Sequence, residues 1–417
     1  METEVENVTI SPKSASLNPK LQLPPTTEPP GPQNPAKQKV WIVSTQLKAT
    51  TDSTLLVHSA NPQCSFQVFG ASGHMGRSVV KAALTHNDLV SAVGRTFENS
   101  LESMQKWSVN LVPVSSKNCL GLLCDVRVRG TVDAVIKKSI AHWGRVDIIA
   151  NCSGYGVIGA CEDQDEFEIR NQFETNFWGT LNIIQLSLPY FRTRPNQEGG
   201  RYLIFSSTSG ALGVPGLGPY CATKYAVEGL VESMLYEIDT FNIKATLVEP
   251  GYLRRDEPDS KTNPLPTYGH FFIKPSSEPY AGPTAPAGHA KRMIQWFGDK
   301  QPASSVKSAE LVWQLGHCSY PPLRLLLGTF AVESVRDRLR SIIEEIEDWK
   351  HLSFPLAADG IQKHDSGDKQ PKDDEAREAR DEDEEMQDGG PEDKDAMDDI
   401  QGQETYDETQ FEGHGTP

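Results

Sequence analysis

From position 39 to about 250 the chain alternates short, β-branched apolar runs with longer stretches whose apolar residues recur at helical spacing. That alternation predicts βαβ units, hence the α/β class with a doubly wound parallel sheet and helices on both faces. The expected strands are 40–44 or 65–69, then 89–93, 120–126, 146–151, 202–206 and 244–249, and a helix is expected over 77–84. Between the last of these strands and position 290 the chain is rich in Pro and aromatic residues, among them Tyr252, Tyr268, Phe271, Phe272 and Tyr280. A loop of that length inside a domain serves as a lid over a site or lacks fixed structure. The run PPLRLLLG at 321–328 predicts one more buried strand, and 332–350 a closing charged helix. No internal repeat is evident.

Composition changes this picture at the two ends. Residues 1–38 are rich in Pro, Thr, Ser and Asn, include Pro24-Pro25 and Pro29-Pro30, and show no periodicity that buries a face, so they are expected to be disordered. Of 57 acidic and 40 basic residues, 22 and 6 fall within 359–417, which leaves 35 and 34 for everything before. Nearly all of the net charge of −17 therefore belongs to an acidic tail, 355–417, expected to stay disordered and solvated, with a basic partner as the alternative. The near-neutral remainder, a single domain over 39–354, argues against nucleic acid as a partner, because phosphate contacts need clustered Lys and Arg. No apolar run approaches the roughly 20 residues of a membrane span, and 1–39 lacks the basic-then-apolar order of a signal peptide. A soluble, cytoplasmic protein is expected. The seven cysteines include no Cys-x-x-Cys pair and read as reduced thiols. No metal-ligand spacing involves His270 or His289, which read as surface histidines with substrate contact as the alternative.

Gly70-Ala71-Ser72-Gly73-His74-Met75-Gly76 follows an apolar run and opens a helix. In that order, backbone amides and the helix dipole can hold a pyrophosphate; a tight turn without a ligand is the plainer alternative. Gly70, Ser72, Gly73, Met75 and Gly76 are the candidate contacts. The second strand ends Ala92-Val93-Gly94-Arg95-Thr96, with no carboxylate at its tip to accept bonds from an adenosine ribose. Arg95 there favours the 2′-phosphate of NADP over NAD, or else is a solvated surface residue. Asp125 sits at a strand end where it can bond the adenine or cap the following helix.

Between Ser206-Ser207 and Pro219-Tyr220-Cys221-Ala222-Thr223-Lys224 the chain leaves a strand, crosses a glycine-containing loop and enters a helix. Tyr220 and Lys224 are four apart and share one helix face. An ammonium near a phenol favours the phenolate and lowers a pKa that is ordinarily near 10, which suits Tyr220 for general acid/base work on a carbonyl or alcohol oxygen. Ser207, at the strand end, can orient the same oxygen. A single Tyr-x-x-x-Lys can equally be an exposed aromatic beside a solvated lysine.

Taken in order, the glycine loop, Asp125-Val126, Asn151-Cys152-Ser153-Gly154, Asn176 in Thr-Asn-Phe-Trp-Gly, Ser207, Tyr220, Lys224 and Pro250-Gly251 resemble the Tyr-x-x-x-Lys members of the short-chain dehydrogenase/reductase family. The resemblance covers about 39–251, extends toward 350, and implies a Rossmann fold. It further implies that Tyr220 donates the proton, Ser207 polarises the carbonyl, and Lys224 binds the nicotinamide ribose and lowers the tyrosine pKa. Asn176 would support a water in the proton relay, Asn151 and Gly154 would line the cofactor, and Pro250-Gly251 would approach the nicotinamide. Dimers or tetramers are implied as well.

Three features depart from the family's pattern. His74 stands where a middle glycine is usual, and Arg255 where a Thr commonly meets the nicotinamide carboxamide. The run 40–45 already resembles the family's first strand, yet the glycine loop follows only after 46–69. That segment reads as an insertion or a translated, unspliced intron, leaving two segments in competition for the central strand. The expected function is an NADP(H)-preferring oxidoreductase interconverting a carbonyl and an alcohol on a largely apolar small molecule, with 252–300 over the substrate. A catalytically impaired dinucleotide-binding protein with an interaction or sensing role is the alternative.

Overall fold

The computed structural model describes residues 21–31, 34–45, 67–70, 74–95, 101–102, 117–254, 267–268, 270–293 and 303–352. Its centre is an eight-stranded, wholly parallel sheet. The strands are β1 (Val40–Thr45), β2 (Gln67–Gly70), β3 (Leu89–Arg95), β4 (Cys119–Cys124), β5 (Ile148–Asn151), β7 (Gly200–Phe205), β8 (Ile243–Pro250) and β13 (Arg324–Leu327), in the order β13-β8-β7-β5-β2-β1-β3-β4. Five minor strands stand apart. β6 (Gly156–Ile158) and the hairpin β10 (Thr267–Tyr268) and β11 (Phe271–Ile273) form one small sheet, while β9 (Leu253–Arg254) pairs with β12 (Ala303–Ser304).

Helices cover both faces, as parallel strands require: with no face left to water, they read as continuous apolar runs. They are α1 (His74–Thr85), α2 (Arg129–Trp143), α3 (Glu166–Phe173), α4 (Gly179–Arg192), α5 (Gly218–Ile238), α6 (Ser305–His317) and α7 (Thr329–Trp349). α1 packs on α6 and α2 on α4. The core between them includes Trp41, Ile148, Ile149, Leu203, Ile204, Leu247 and Val248, all essentially without solvent contact.

The two candidates for the central strand do not exclude each other. β1 pairs with β3 along its whole length, from Val40↔Leu89 to Thr45↔Gly94. On its other side it meets β5 only at Trp41↔Ile148 and Ile42↔Ile149. From there β2 wedges in, pairing Gln67, Val68 and Phe69 with Ile149, Ala150 and Asn151, and Phe69 and Gly70 with Val43 and Ser44. The sheet forks at Ile149, so one strand position is filled by two segments. Below the fork, Asp88 ties the layers together. Its carboxylate accepts from the backbone N–H of Lys39, from the indoles of Trp41 and Trp313, and bonds His317 at 2.9 Å.

The expectation of disorder over 1–38 is corrected for part of that segment. Leu23 is buried and its N–H donates to Gln314 Oε1, Pro25–Thr27 forms a 3-10 turn, and the carbonyl of Thr27 accepts from the N–H of Ser319. A buried leucine and satisfied backbone groups outweigh the segment's polar composition. Residues 1–20 and the acidic tail lie outside the described residues, so the expectations for both ends do too. Among the described residues no helix is long and apolar enough to cross a membrane, and no cluster of His, Cys, Asp or Glu has metal-binding geometry.

Candidate functional site

The chemistry-bearing residues converge at the carboxyl ends of β5, β7 and β8, where an open α/β sheet presents its crevice. After β7 the chain turns through Ser206 and Ser207 into a 3-10 turn, Thr208–Gly210. Ser207 is extended, and its Oγ accepts from the N–H of Ser209 at 3.2 Å. α5 opens with Pro219 in its first turn, which fixes the helical φ where no amide partner is needed. Tyr220 and Lys224 follow on the buried face of α5, at 2% and 4% exposure. The Ser207 hydroxyl lies near enough to the Tyr220 phenol to favour its ionised form, so three groups predicted from spacing lie together.

Their electrostatics differ from the expectation on one point. Burial holds the Tyr220 phenol above its ordinary value, with the Ser207 hydroxyl acting in the opposite direction. Lys224 stands 5.7 Å from the centre of the Tyr220 ring, but its Nζ donates to the carbonyl of Phe205 at 2.9 Å. The expected lowering of the tyrosine by the ammonium is therefore outweighed by burial, which takes solvent from the phenolate. Burial also brings Lys224 itself down to about 8, against the favourable fields of Glu228 and Cys152.

Asn151 ends β5; its amide donates to Thr180 Oγ1 at 2.8 Å and its Oδ1 accepts from the N–H of Ser153. Gly154 has φ +154°, and a Cβ there would stand 3.1 Å from Asn176 Oδ1 and 3.4 Å from Lys224 Nζ. Asn176 lies in a π-helical turn, Glu174–Trp178, between α3 and α4. Its side chain is fully engaged: Oδ1 accepts from the N–H of Tyr155, and Nδ2 donates to the carbonyl of Tyr155 and to Thr223 Oγ1. Asn176 thus braces the loop after β5 against α5.

At the other end of the crevice, Arg95 closes β3 opposite Cys124. Asp125 follows β4 but does not cap α2, whose N-cap is Val128 with no side-chain bond. Instead it accepts from the backbone and guanidinium of Arg127, with Oδ2 2.7 Å from Nη2, and these bonds hold its carboxyl below the usual range against the opposing effect of burial. Two guanidiniums, Arg95 and Arg127, therefore flank Asp125. Gly70 closes β2, while Ser72 and Gly73 lie outside the described residues. His74 opens α1 rather than standing in the loop, with half-buried Met75 and buried Gly76 behind it. Pro250 pairs with Leu327, and Gly251 packs on Ala331. Arg255 lies outside the described residues.

A buried charged floor lies behind these groups. Ser206 Oγ donates to Glu228 Oε1 at 2.6 Å, and Arg324 from β13 reaches Glu228, Glu232 and Glu249. Glu249, with no solvent contact, is pushed up to about 8 by burial and by the Glu228 carboxylate, which Arg324 opposes. The front wall is the small sheet. β11 pairs with β6 from Phe271↔Gly156 to Ile273↔Ile158, and the N–H of Gly156 donates to the carbonyl of His270. Gly156 admits this approach because a Cβ there would lie 2.8 Å from both the Phe271 and the Tyr220 rings. The hairpin thereby sets His270 Nε2 at 3.1 Å from Tyr220 Oη.

This arrangement agrees with what the chain is similar to. The family model described as short chain dehydrogenase matches residues 66–263. An oxidoreductase of Botryotinia fuckeliana, BOA17, is 30% identical over 291 residues, which is 70% of this chain and 98% of that protein. The chain belongs to the short-chain dehydrogenase/reductase family. It is thus an oxidoreductase of the Tyr-x-x-x-Lys kind, on a Rossmann sheet. A short-chain dehydrogenase of Streptomyces avermitilis superposes with a TM-score of 0.58 at 26% identity, over 74% of this chain and 97% of its own. A 3-ketodihydrosphingosine reductase of Bacteroides thetaiotaomicron is 38% identical over 130 residues, 31% of this chain and 47% of that protein.

Sequence reasoning located Ser207, Tyr220, Lys224, Asn151, Gly154 and Asn176, which this short-chain dehydrogenase brings into one cluster. It missed Arg127, the Glu228–Arg324–Glu249 floor and the contact of His270 with Tyr220. The floor had a signal: a glutamate one turn beyond Lys224 on the same face, and another in the last apolar strand, each needing a partner once buried. His270 had none, since a hairpin 50 residues away places it.

Proposed function

We propose that this chain is an NADP(H)-dependent oxidoreductase that interconverts a carbonyl and an alcohol on a largely apolar small molecule, with Tyr220 as general acid and base. The observation that carries the reading is the meeting of Ser207, Tyr220 and Lys224 in one buried cluster beneath the β10–β11 hairpin. The cluster suits a nicotinamide dinucleotide. Bare backbone at Gly154 borders Lys224 Nζ, so a ribose can approach the ammonium where a Cβ would block it. Arg95 and Arg127 at the far end offer cations where NADP carries its extra phosphate. Gly70, Ser72, Gly73, Met75, Gly76, Asp125, Asn151, Pro250 and Gly251 are the proposed further contacts.

When bound, the reduced nicotinamide supplies the hydride. In reduction, the hydroxyls of Ser207 and Tyr220 donate hydrogen bonds to the substrate carbonyl oxygen, and Tyr220 transfers its proton to it. Lys224 holds the ribose and places positive charge beside the developing phenolate. Asn176 positions the loop carrying Gly154 and Tyr155. Phe271, Phe272 and Tyr252 surround the substrate side and suit an apolar compound, and the name of the Bacteroides relative, a reductase of a lipid ketone, is in keeping with that class. The reading takes 39–354 as the cofactor-binding domain, with 46–69 inserted and 252–300 as lid, in a cytoplasmic protein. The acidic tail is available to a basic partner. Leu339, Ile343, Ile346 and Trp349, exposed along α7, are a surface for association with a second copy.

The forked central strand favours a second reading, a dinucleotide-binding protein impaired in catalysis, because it displaces the start of the glycine loop. Fluorescence titration with NADPH and NADH tests both readings. Tighter NADPH binding, lost by roughly tenfold in Arg95→Ala while NADH affinity is kept, is expected. Equal affinities overturn the NADP preference, and binding without turnover supports the second reading.

A further inference from the structure

We propose that His270 is the catalytic residue through which Tyr220 exchanges its proton with solvent, an inference that rests on Tyr220 being the proton donor. Among the described residues, two of the polar groups of this cluster are turned away from solvent. Lys224 is buried with Nζ bonded to the Phe205 carbonyl, and the Asn176 side chain is engaged by Tyr155 and Thr223. Tyr220 itself has almost no solvent contact. His270 is exposed, yet its Nε2 stands 3.1 Å from Tyr220 Oη.

The placement is built rather than incidental. The carbonyl of His270 accepts from the N–H of Gly156, its ring lies 4.1 Å from that of Phe271, and Phe271 meets the Tyr220 ring edge-on at 5.0 Å. In reduction the carbonyl carbon takes the cofactor's hydride and the oxygen takes the Oη proton, leaving Tyr220 one proton short. Imidazolium Nε2–H returns that proton to Oη, and the imidazole takes its replacement from bulk solvent. In oxidation the same bonds run in reverse. Imidazole suits this work because its ordinary pKa lies near neutrality and both its nitrogens can carry protons.

The test uses the full chain with NADPH, acetophenone and a long-chain methyl ketone. His270→Ala is expected to lower kcat by roughly a hundredfold, with partial rescue by added imidazole, while His270→Gln, which keeps a hydrogen bond but no shuttle, is expected to stay low. A second readout needs no turnover: in the cofactor-free chain with ¹⁵N-labelled histidine, the Nε2 resonance of His270 should move in Tyr220→Phe. Wild-type kcat in His270→Ala, full activity in His270→Gln, or an unmoved resonance overturns the proposal and leaves the role of Tyr220 standing. If Tyr220→Phe reduces the ketones as fast as the wild type, the underlying reading fails instead, and the proposal with it.

Discussion

The two sides of the sheet's centre make opposite use of their residues. On the side of β5, β7 and β8, each strand occupies one position and leads to a side chain fixed by a named contact: Asn151 of β5 to Thr180, Ser206 after β7 to Glu228, and Glu249 of β8 to Arg324. On the side of β1 and β2, two segments share one position, and the glycine loop starts from the shorter of them, which has only four residues. Proton-transfer chemistry thus rests on strands that leave no choice of register, whereas pyrophosphate binding rests on a fork. A cluster assembled by single strands tolerates little variation, and a fork permits the loop to begin at different heights.

Tyr220→Phe should break the ordered side most severely. Phenylalanine keeps the ring and removes the hydroxyl that meets His270, so turnover is expected to fall by roughly a thousandfold or more, with NADPH affinity unchanged. Steady-state rates beside a fluorescence titration check both halves. Retained turnover would mean that the cluster's geometry is not used for proton transfer.

This contrast also explains what the sequence could disclose. Tyr220 and Lys224 were legible because the period of a helix puts residues four apart on one face, and the strands β5, β7 and β8 because both of their faces are buried. The fork was half legible: both 40–44 and 65–69 read as strands, but local pattern cannot say that a parallel sheet will take two segments at one position. The meeting of His270 with Tyr220 and of Arg324 with Glu249 depends on long-range pairing, β11 on β6 and β13 on β8, which leaves no periodic trace. Asp125 was assigned to adenine or to a helix cap from its place at a strand end. The cap is not made, since Arg127, two residues on, bonds the carboxylate and the helix begins after Val128.

The floor of the ordered side should reveal itself in the pH dependence of stability. Because Glu249 is held up to about 8 in the folded chain, it keeps a proton that the unfolded chain releases above the ordinary glutamate value of 4.5. Between those limits the folded state binds more protons, so stability falls as pH rises toward 8 and levels off above it. Glu249→Gln should remove this slope and stabilise the protein at pH 8 by about 2–4 kcal/mol. Melting temperatures at pH 5.5 and 8 decide it, since an unchanged slope would place the titration elsewhere.

The fork is broken most directly by deleting 46–69, so that Thr45 runs into Gly70. At present Gly70 lies beside Ser44, which pairs with Val93, whereas Thr45 pairs with Gly94. In the joined chain Gly70 would follow Thr45 and come level with Arg95, two residues further along β3, a shift of roughly 6–7 Å at the usual rise of a strand. The joined strand could also pair with β5 over its full length, which β1 now does at only two positions. Both changes bring the glycine loop toward Arg95 and the carboxyl edge, where backbone amides meet a pyrophosphate. NADPH is therefore expected to bind about tenfold more tightly, a gain near 1.4 kcal/mol, with the ratio of NADPH to NADH affinity unchanged because Arg95 does not move. Equal or weaker binding would show that β2 already starts the loop at the working height. In that case the fork is an accommodated duplication of one strand, and the difference between the two sides of the sheet has no consequence for the cofactor.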